Sequence, residues 1–373
     1  MKIAFDAKRA LNNATGLGNH ARILLNALMR DFPENEYFFF TPKAKDEFFH
    51  QLHGSFKIFF PETKLQKSFH PLWRSFGIKS QLSETRIDIY HGLSNEIPFG
   101  IKGSDFRTVV TIHDLIFLKH TEQYPWTDRQ FYTLKTKYAA KRADKIIAVS
   151  HETKNDLIEI YGVPEKKIEV VYPSVDISFQ ADITNTQLPS KYNLPPKYIL
   201  NVGSFFPRKN QTNLIEAYSL IANQIEEGLV LIGSNGRMKE EILKLIHAKK
   251  LEHRIEILSG VSNEDLPAIY RNASVFVFPS LFEGFGAPVL EALFSKTPVI
   301  ATGGGAIEEA AGKNSLFINP RSAEDIADKV LKVLNNESLR QQMIDAGYSH
   351  AQTMTDTVFA KKVMNIYNEV CSV

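Results

Sequence analysis

The chain has 373 residues, of which 43% are hydrophobic and 23% are charged, enough for two or three domains with sizeable cores. Its formal net charge of +2 argues against a general nucleic-acid-binding surface, so no nucleic-acid partner is expected. The single cysteine, Cys371, excludes an internal disulfide framework, while an early charge at Asp6 and the lack of a long apolar run predict a cytoplasmic protein without signal peptide or membrane span.

The first forty residues alternate between strand and helix patterns, which indicates the start of a parallel α/β sheet. A strand, a glycine loop, a helix and a second strand are predicted at Lys2–Asp6, Thr15–His20, Ala21–Met29 and Glu36–Thr41. Gly16 and Gly18 in the loop are compatible with a tight turn, or with close approach of the backbone to a phosphate.

Residues 57–85 interrupt this alternation with a basic and aromatic stretch. Four cations interleave here with Phe69, Trp73 and Phe76; they are Lys64, Lys67, Arg74 and Lys79. Such a segment can lie on an anionic membrane surface, or it can pack on its own domain as an ordinary amphipathic helix. The second interpretation is slightly favoured, and peripheral contact with an anionic membrane stays open.

Two further predicted strands end in histidine. They are Ile87–His91 and Thr108–His113, and Asp114 follows the second. Because ligands bind at the carboxyl ends of parallel strands, His113 is well placed to hydrogen-bond a substrate. His91 is a weaker candidate for the same role.

The strand and helix pattern restarts after residues 177–197, which hold three prolines with little periodicity and are predicted to form a linker. Tyr198–Gly203 is a predicted strand and Ser204–Asn210 is its loop, which leads into a helix. Arg208 and Lys209 stand side by side in that loop. Adjacent cations before a helix N-terminus suit a diphosphate, because arginine can bind two oxygens at once.

The strongest motif is the string Glu283-Gly-Phe-Gly-Ala-Pro-Val-Leu-Glu291, which follows the predicted strand Ala273–Ser280 and opens a helix with Glu291 in its first turn. The N–H groups near Phe285, Gly286 and Ala287 have no helical partner, so this turn favours an anion. The two carboxylates repel phosphate but accept hydrogen bonds from hydroxyls. A sugar linked to a diphosphate is the ligand that satisfies both features.

This string resembles the E-x7-E motif of the retaining glycosyltransferases of group 1, also called family 4. Residues Gly203–Asn210 are similar to the same family's G-x-x-x-x-R-K-N string. The resemblance covers nearly the whole chain and implies the α/β fold called GT-B, in which two Rossmann-like parallel-sheet domains face a central cleft. It implies an acceptor domain at residues 1–180, a donor domain at residues 195–353, and a last helix, 354–373, that crosses back to the first domain.

The resemblance also implies roles for individual residues. Arg208 and Lys209 would neutralise the leaving diphosphate, Glu283 would hold the sugar hydroxyls, and Glu291 would hold the ribose. His113 would contact the sugar from the N-terminal domain. The remaining donor-binding positions implied by the family are Gly16, Gly18, Gly260, Val261, Phe285, Gly286 and Ala287.

The predicted activity is transfer of a hexose from a nucleotide-diphosphate sugar to a hydroxyl of a glycan or lipid-linked acceptor. Mannose is slightly favoured, because the Asp6-Ala-Lys start and the glycine loop resemble bacterial mannosyltransferases of surface polysaccharides. No cofactor is expected, and no metal either, since the chain contains no Asp-x-Asp pair. Two alternatives remain: a sugar-nucleotide epimerase of the same fold, and a non-catalytic sugar-nucleotide-binding protein.

Overall fold

The computed structural model describes residues 1–101, 103–181, 190–233 and 236–372. They form two α/β units: unit 1 comprises Met1–Asp176 with Met354–Val373, and unit 2 comprises Ile177–Thr353. The predicted linker falls partly on residues 182–189, which lie outside the described residues. Each unit contains one all-parallel sheet, as the α/β prediction requires.

Unit 1 contains a seven-stranded sheet in the order β3-β2-β1-β4-β5-β6-β7. Its strands are Lys2–Asp6 (β1), Glu36–Phe40 (β2), Lys57–Phe59 (β3), Ile89–Gly92 (β4), Arg107–Ile112 (β5), Lys145–Ala148 (β6) and Ile168–Val170 (β7). The central strands are apolar along nearly their whole length because helices cover both faces of a parallel sheet. The strand order reverses between β1 and β4, and ligands bind at the carboxyl edge beside such a reversal.

The helices of unit 1 vary from short turns to long amphipathic elements. They are Lys8–Asn12, Gly16–Asp31, Asp46–Phe49, Lys64–Ser68, His70–Leu72, Ile78–Thr85, Ile116–Lys119, Trp126–Arg142, His151–Tyr161 and Asp356–Cys371, with a π-helical turn at Trp73–Gly77. The last helix packs on the Gly16–Asp31 helix, where Arg30 contacts Asp356 at 2.6 Å. The C-terminal helix therefore returns to the first unit, as predicted.

The predicted glycine loop at Thr15–His20 is wrong, because the helix already begins at Gly16. Gly16 and Gly18 lie in the first helical turn. A side chain at Gly18 would place its Cβ 1.9 Å from the carbonyl oxygen of Asn13, whereas Gly16 faces open space. Gly18 thus serves close packing of the helix start against the preceding segment, a requirement that the sequence pattern did not distinguish from a ligand loop.

Residues 57–85 do not form one continuous basic and aromatic helix. The segment starts with β3 and then breaks into short helical pieces around Phe69. Trp73 is buried and donates a hydrogen bond to Gln81, while Arg74 is bound by the carboxylates of Asp6 and Glu96. These two side chains belong to the unit's own interior, in agreement with the favoured packing interpretation for this part of the segment.

Unit 2 contains a six-stranded sheet in the order β10-β9-β8-β11-β12-β13. Its strands are Tyr198–Val202 (β8), Gly228–Ile232 (β9), Ile255–Leu258 (β10), Val275–Phe278 (β11), Val299–Thr302 (β12) and Leu316–Ile318 (β13). Its helices are Ile177–Gln180, Gln211–Ile221, Lys239–Ala248, Leu266–Arg271, Ala287–Phe294, Gly305–Ala311, Ala323–Leu334 and Glu337–Ala351. The strand order reverses between β8 and β11, so the loops that follow these two strands leave the sheet side by side. In the part of the chain that the structure describes, no helix combines the length and apolar character needed to cross a bilayer.

Candidate active site

The loops after β8 and β11 are tied together at the carboxyl edge of the unit 2 sheet. The first loop contains a 3₁₀ turn, Pro207–Lys209, and ends at Asn210, whose φ of 58° starts the next helix from a left-handed conformation. The Asn210 side chain donates to the Pro279 carbonyl at 3.1 Å, and the Leu281 N–H donates to the Arg208 carbonyl at 2.8 Å. These bonds fix the cation-bearing loop against the strand that leads into the glutamate motif.

Arg208, Lys209 and Glu283 form one charge cluster at this edge. The Lys209 Nζ donates to Glu283 Oε1 at 2.5 Å, and Arg208 Nη1 is bound to Glu283 Oε2. Lys209 also lies over the Phe278 ring, with Nζ 5.0 Å from the ring centroid. The side chain of Arg208 is 26% exposed, against about a tenth for the other two. Little of the cluster is accessible to solvent, and the Arg208 guanidinium is its most accessible group.

Electrostatics keep the glutamate of this cluster ionised. Burial alone would raise the pKa of Glu283, but the charges of Lys209 and Arg208 lower it to about 2. Burial lowers the pKa of Lys209, and Glu283 works in the opposite direction. The two cations bind the single carboxylate of Glu283, and the charge of Glu291 also acts on Lys209. Paired cations of this kind suit a ligand with more than one negative charge.

Glu291 occupies a separate place in the motif. The helix Ala287–Phe294 begins after Gly286, whose φ of 115° only glycine adopts readily, and Glu291 is its fifth residue. The prediction that Glu291 lies in the first helical turn is therefore wrong, and a simple interaction with the helix dipole does not account for it. The buried Tyr270 hydroxyl donates to Glu291 Oε2 at 2.7 Å. Because a carboxylate has about four acceptor positions, Glu291 can still accept hydrogen bonds from a diol.

The remaining predicted positions of unit 2 are backbone sites. Gly260 follows β10 with a φ of 71° and open space where a side chain would stand, so its backbone is accessible to a ligand. Val261 is the next residue. Phe285 is buried and Ala287 begins the helix, so the N–H groups around Gly286 lie at a helix N-terminus.

In unit 1, His113 follows β5 and is held by three hydrogen bonds. Its backbone N–H donates to Asn95 Oδ1 at 2.8 Å, and Thr153 donates to its carbonyl at 3.2 Å. The ring Nε2 lies 2.9 Å from the Leu93 carbonyl. A carbonyl can only accept, so Nε2 carries the proton and Nδ1 keeps its lone pair. Burial lowers the pKa of His113 to about 4, so the ring is a neutral hydrogen-bond acceptor at pH 7.

Two more histidines surround His113. His20 packs edge-on against it with ring centroids 4.6 Å apart, and burial and the neighbouring histidines lower the pKa of His20 well below its usual value. His91 is fully buried and uses both ring nitrogens, with Tyr367 Oη at 2.6 Å and Thr111 Oγ1 at 2.8 Å. His91 is therefore a structural residue, and the substrate-binding role considered for it is not supported.

Sequence reasoning missed Asn95, His20 and Tyr270. Asn95 adopts a φ of 56° between two strands, and Tyr270 is one of 13 tyrosines, so neither carries a local pattern. His20 follows the glycines within the predicted loop, and that adjacency was the one available signal. Across the described ranges, no group of three or more His, Cys, Asp or Glu residues is arranged to hold a metal ion.

Comparisons with known proteins find similar proteins along nearly the whole chain. Residues 14–179 match the family described as Glycosyltransferase Family 4, and residues 184–350 match Glycosyl transferases group 1. O-antigen chain mannosyltransferase B of Escherichia coli is 28% identical over 285 residues, which are 75% of this chain and 74% of that protein. The serotype-specific mannosyltransferase WbdA of Escherichia coli is 29% identical over 69% of this chain, which spans about a third (33%) of WbdA.

Solved structures show the same fold. HepE from Anabaena, crystallised with UDP and glucose, aligns with a TM-score of 0.76 at 16% identity and covers 99% of this chain and 100% of its own. A glycosyltransferase from Rickettsia africae aligns with a TM-score of 0.76 at 19% identity and covers 99% of this chain and 98% of its own. At these identities the likeness establishes the architecture.

Proposed function

This chain belongs to the group 1 glycosyltransferases of family 4, and we propose that it transfers a hexose from a nucleotide-diphosphate sugar to a glycan or lipid-linked hydroxyl. The observation that carries the proposal is the cluster of Arg208, Lys209 and Glu283 beside the strand reversal of unit 2. Mannose is the favoured hexose because O-antigen mannosyltransferase B and WbdA are both mannosyltransferases. HepE binds UDP, which supports a nucleotide donor in this fold.

The two cations act on the leaving group. When the bond between the sugar C1 and the phosphate oxygen breaks, the electron pair stays on the diphosphate, and negative charge grows there. Arg208 and Lys209 are fixed by hydrogen bonds before the reaction starts, so they stabilise the transition state without reorganising. Only the part of this interaction that strengthens during bond breaking accelerates the step.

The acceptor oxygen attacks C1 on the face that the leaving group vacates, which retains the configuration at C1. Its proton passes to an oxygen of the departing phosphate, so no protein base is needed. Glu283 lies between the two cations and keeps further acceptor positions, with which it holds the sugar hydroxyls. Glu291 accepts hydrogen bonds from the ribose, and His113 Nδ1 accepts one from a sugar hydroxyl.

A binding screen of GDP-, UDP- and ADP-sugars by calorimetry tests the proposal first. We expect GDP-mannose to bind most tightly. Transfer is then followed with labelled donor and an oligosaccharide acceptor. Proton NMR of the product then reports the configuration at C1. Consumption of donor without any acceptor would favour an epimerase instead, and binding without turnover of any donor and acceptor pair would indicate a non-catalytic protein.

The same assay tests the role of metals. We expect transfer to continue unchanged in EDTA, because the two cations occupy the charge-neutralising role that a divalent ion has in metal-dependent transferases. Loss of transfer in EDTA and its recovery with manganese would contradict this prediction.

A further inference from the structure

An apolar stripe lies exposed on unit 1. It consists of Leu65, Phe69, Leu72 and Phe76, which are 71%, 53%, 56% and 60% exposed. Their spacing of four, three and four residues is that of one helix face, although the backbone is broken at Phe69. An apolar helix face normally packs on the core, and this one points away from it.

The Trp126–Arg142 helix exposes a second apolar group. Its Trp126, Phe131, Tyr132 and Leu134 are 66%, 53%, 42% and 59% exposed. Of the fifteen large hydrophobic side chains that are exposed among the described residues, eight belong to these two segments. Such a concentration marks an interaction surface, whereas single exposed apolar residues need no explanation.

An aromatic ladder joins the two segments into one surface. The Phe76 ring stacks on Phe99 with centroids 5.3 Å apart, and Phe99 contacts Tyr138 at 4.5 Å. Tyr138 lies four and seven residues after Leu134 and Phe131, on the same side of their helix. Next to Phe99 in the chain, the Gly100 carbonyl accepts a hydrogen bond from Lys79 Nζ at 2.8 Å. We call this joined surface the apolar face.

The charge around the apolar face is mostly positive. The helical segments 64–85 and 126–142 contain nine Lys or Arg residues against two acidic ones, Glu84 and Asp128, in a chain with almost equal totals of 44 and 42. Arg74 and Lys135 are paired with Glu96 in the interior. The exposed cations are Lys64, Lys67, Lys137, Lys141 and Arg142.

We propose that the apolar face docks on the surface of an anionic lipid bilayer. The combination of exposed Phe, Leu and Trp side chains with lysines on the same segments is that of elements that lie in the headgroup region, with the apolar groups inserted and the ammonium groups at the phosphates. The lysines give the charge complementarity for this partner. Docking needs no sugar donor, so it is independent of the proposed transferase activity.

Vesicle sedimentation tests this inference. We expect the full-length protein to bind vesicles containing phosphatidylglycerol, to bind pure phosphatidylcholine vesicles far less, and to be released by salt. The variant L65S/L72S should bind at least about tenfold more weakly, as should F131S/L134S, because each removes two inserted side chains. The matched control is L220S/L243S in unit 2, where the leucines are 50% and 48% exposed.

Two charge-reversal variants test the role of the lysines in vesicle binding. K64E/K67E should abolish binding to the anionic vesicles, whereas K244E/K313E, at exposed sites of unit 2, should not. Calorimetric donor binding by all variants should match the wild type, which separates failed docking from a failed transferase proposal. The inference is overturned if the wild type does not bind anionic vesicles, if face and control variants bind alike, or if sedimentation velocity shows a wild-type dimer that the face variants dissociate.

Discussion

The two units present different chemistry at the carboxyl edges of similar parallel sheets. Unit 2 places two cations on one ionised carboxylate, and unit 1 places three histidines that are neutral at pH 7, of which His20 and His91 are buried. The two edges therefore suit different ligand groups. The charge cluster suits a diphosphate whose charge grows during the reaction, and the neutral imidazole of His113 suits an uncharged hydroxyl.

Replacing Lys209 should reduce kcat more than any other change proposed below. Lys209→Ala removes a fixed cation next to the leaving group, so kcat should fall by on the order of a hundredfold or more. The control is Lys249→Ala, which removes a lysine paired with Glu216 at 2.5 Å elsewhere in the same unit. Steady-state kinetics measure both. A Lys209→Ala enzyme with a near-normal kcat would show that the charge cluster does not bind the diphosphate.

The two glutamates of the motif should fail in different ways. Glu283→Gln leaves the buried Lys209 and the half-buried Arg208 without their carboxylate and removes the negative charge near the sugar, so kcat should fall by about tenfold and the melting temperature should fall as well. Glu291→Gln changes a contact to the ribose, whose chemistry does not alter, and should mainly raise KM. Equal losses in both parameters for both variants would refute this division of roles.

These contrasts also explain what could be predicted from the sequence. Arg208, Lys209 and Glu283 sit in short strings directly after apolar strands, and the topology of a parallel sheet brings such strand ends together. Tyr270 and Asn95 act through hydrogen bonds to residues distant in the chain, and no sequence pattern indicates such contacts. The pattern around Gly18 predicts a loop, because a helix start packed on Asn13 needs the same residue as a ligand loop. Donor binding by Gly16 and Gly18 stays a prediction.

Tyr270 offers a smaller and more specific test of the unit 2 site. Its hydroxyl positions Glu291, so Tyr270→Phe should raise the donor KM several-fold with little change in kcat, within the range of one hydrogen bond to a charged group. It should also reduce the preference for a ribose donor over its 2′-deoxy analogue. A purely structural role would not change that preference.

Tyr198→Phe is the matched control for Tyr270. Tyr198 is equally buried in unit 2, and its hydroxyl donates at 2.6 Å to the Ile269 carbonyl, next to Tyr270 in the chain. Both variants lose one buried hydrogen bond and should lose similar thermal stability. If Tyr198→Phe raised the donor KM as much as Tyr270→Phe, the effect would belong to the core and the positioning role would be wrong.

The smallest effect on the rate is expected from pH. The free energy of unfolding, in contrast, should depend on pH in a different range in each unit. His113, with a pKa of about 4, stays neutral from pH 8 to pH 6, so its protonation should not change kcat in that range. A histidine in the unfolded chain has a pKa near 6.5. Below that pH the unfolded state therefore binds protons that the folded state does not bind. The stability that unit 1 gains from neutral histidines is complete above about pH 6.5 and is lost as the pH falls towards 4.

The charge cluster of unit 2 should respond to acid in a lower window. The folded pKa of Glu283 is about 2 and an unfolded glutamate titrates near 4.3, so its contribution to stability is complete above about pH 4.3 and is lost as the pH falls towards 2.

The chain's 2 tryptophans, Trp73 and Trp126, both lie in unit 1. Tryptophan fluorescence in urea therefore reports the unfolding of unit 1 alone, and the free energy of unfolding should fall between pH 6.5 and pH 4.5. His20→Phe, which keeps an aromatic ring against Phe359, should flatten that fall, whereas His53→Gln at an exposed site should not. A pH dependence that His20→Phe leaves unchanged would mean that the neutral histidines do not set the acid stability of this unit.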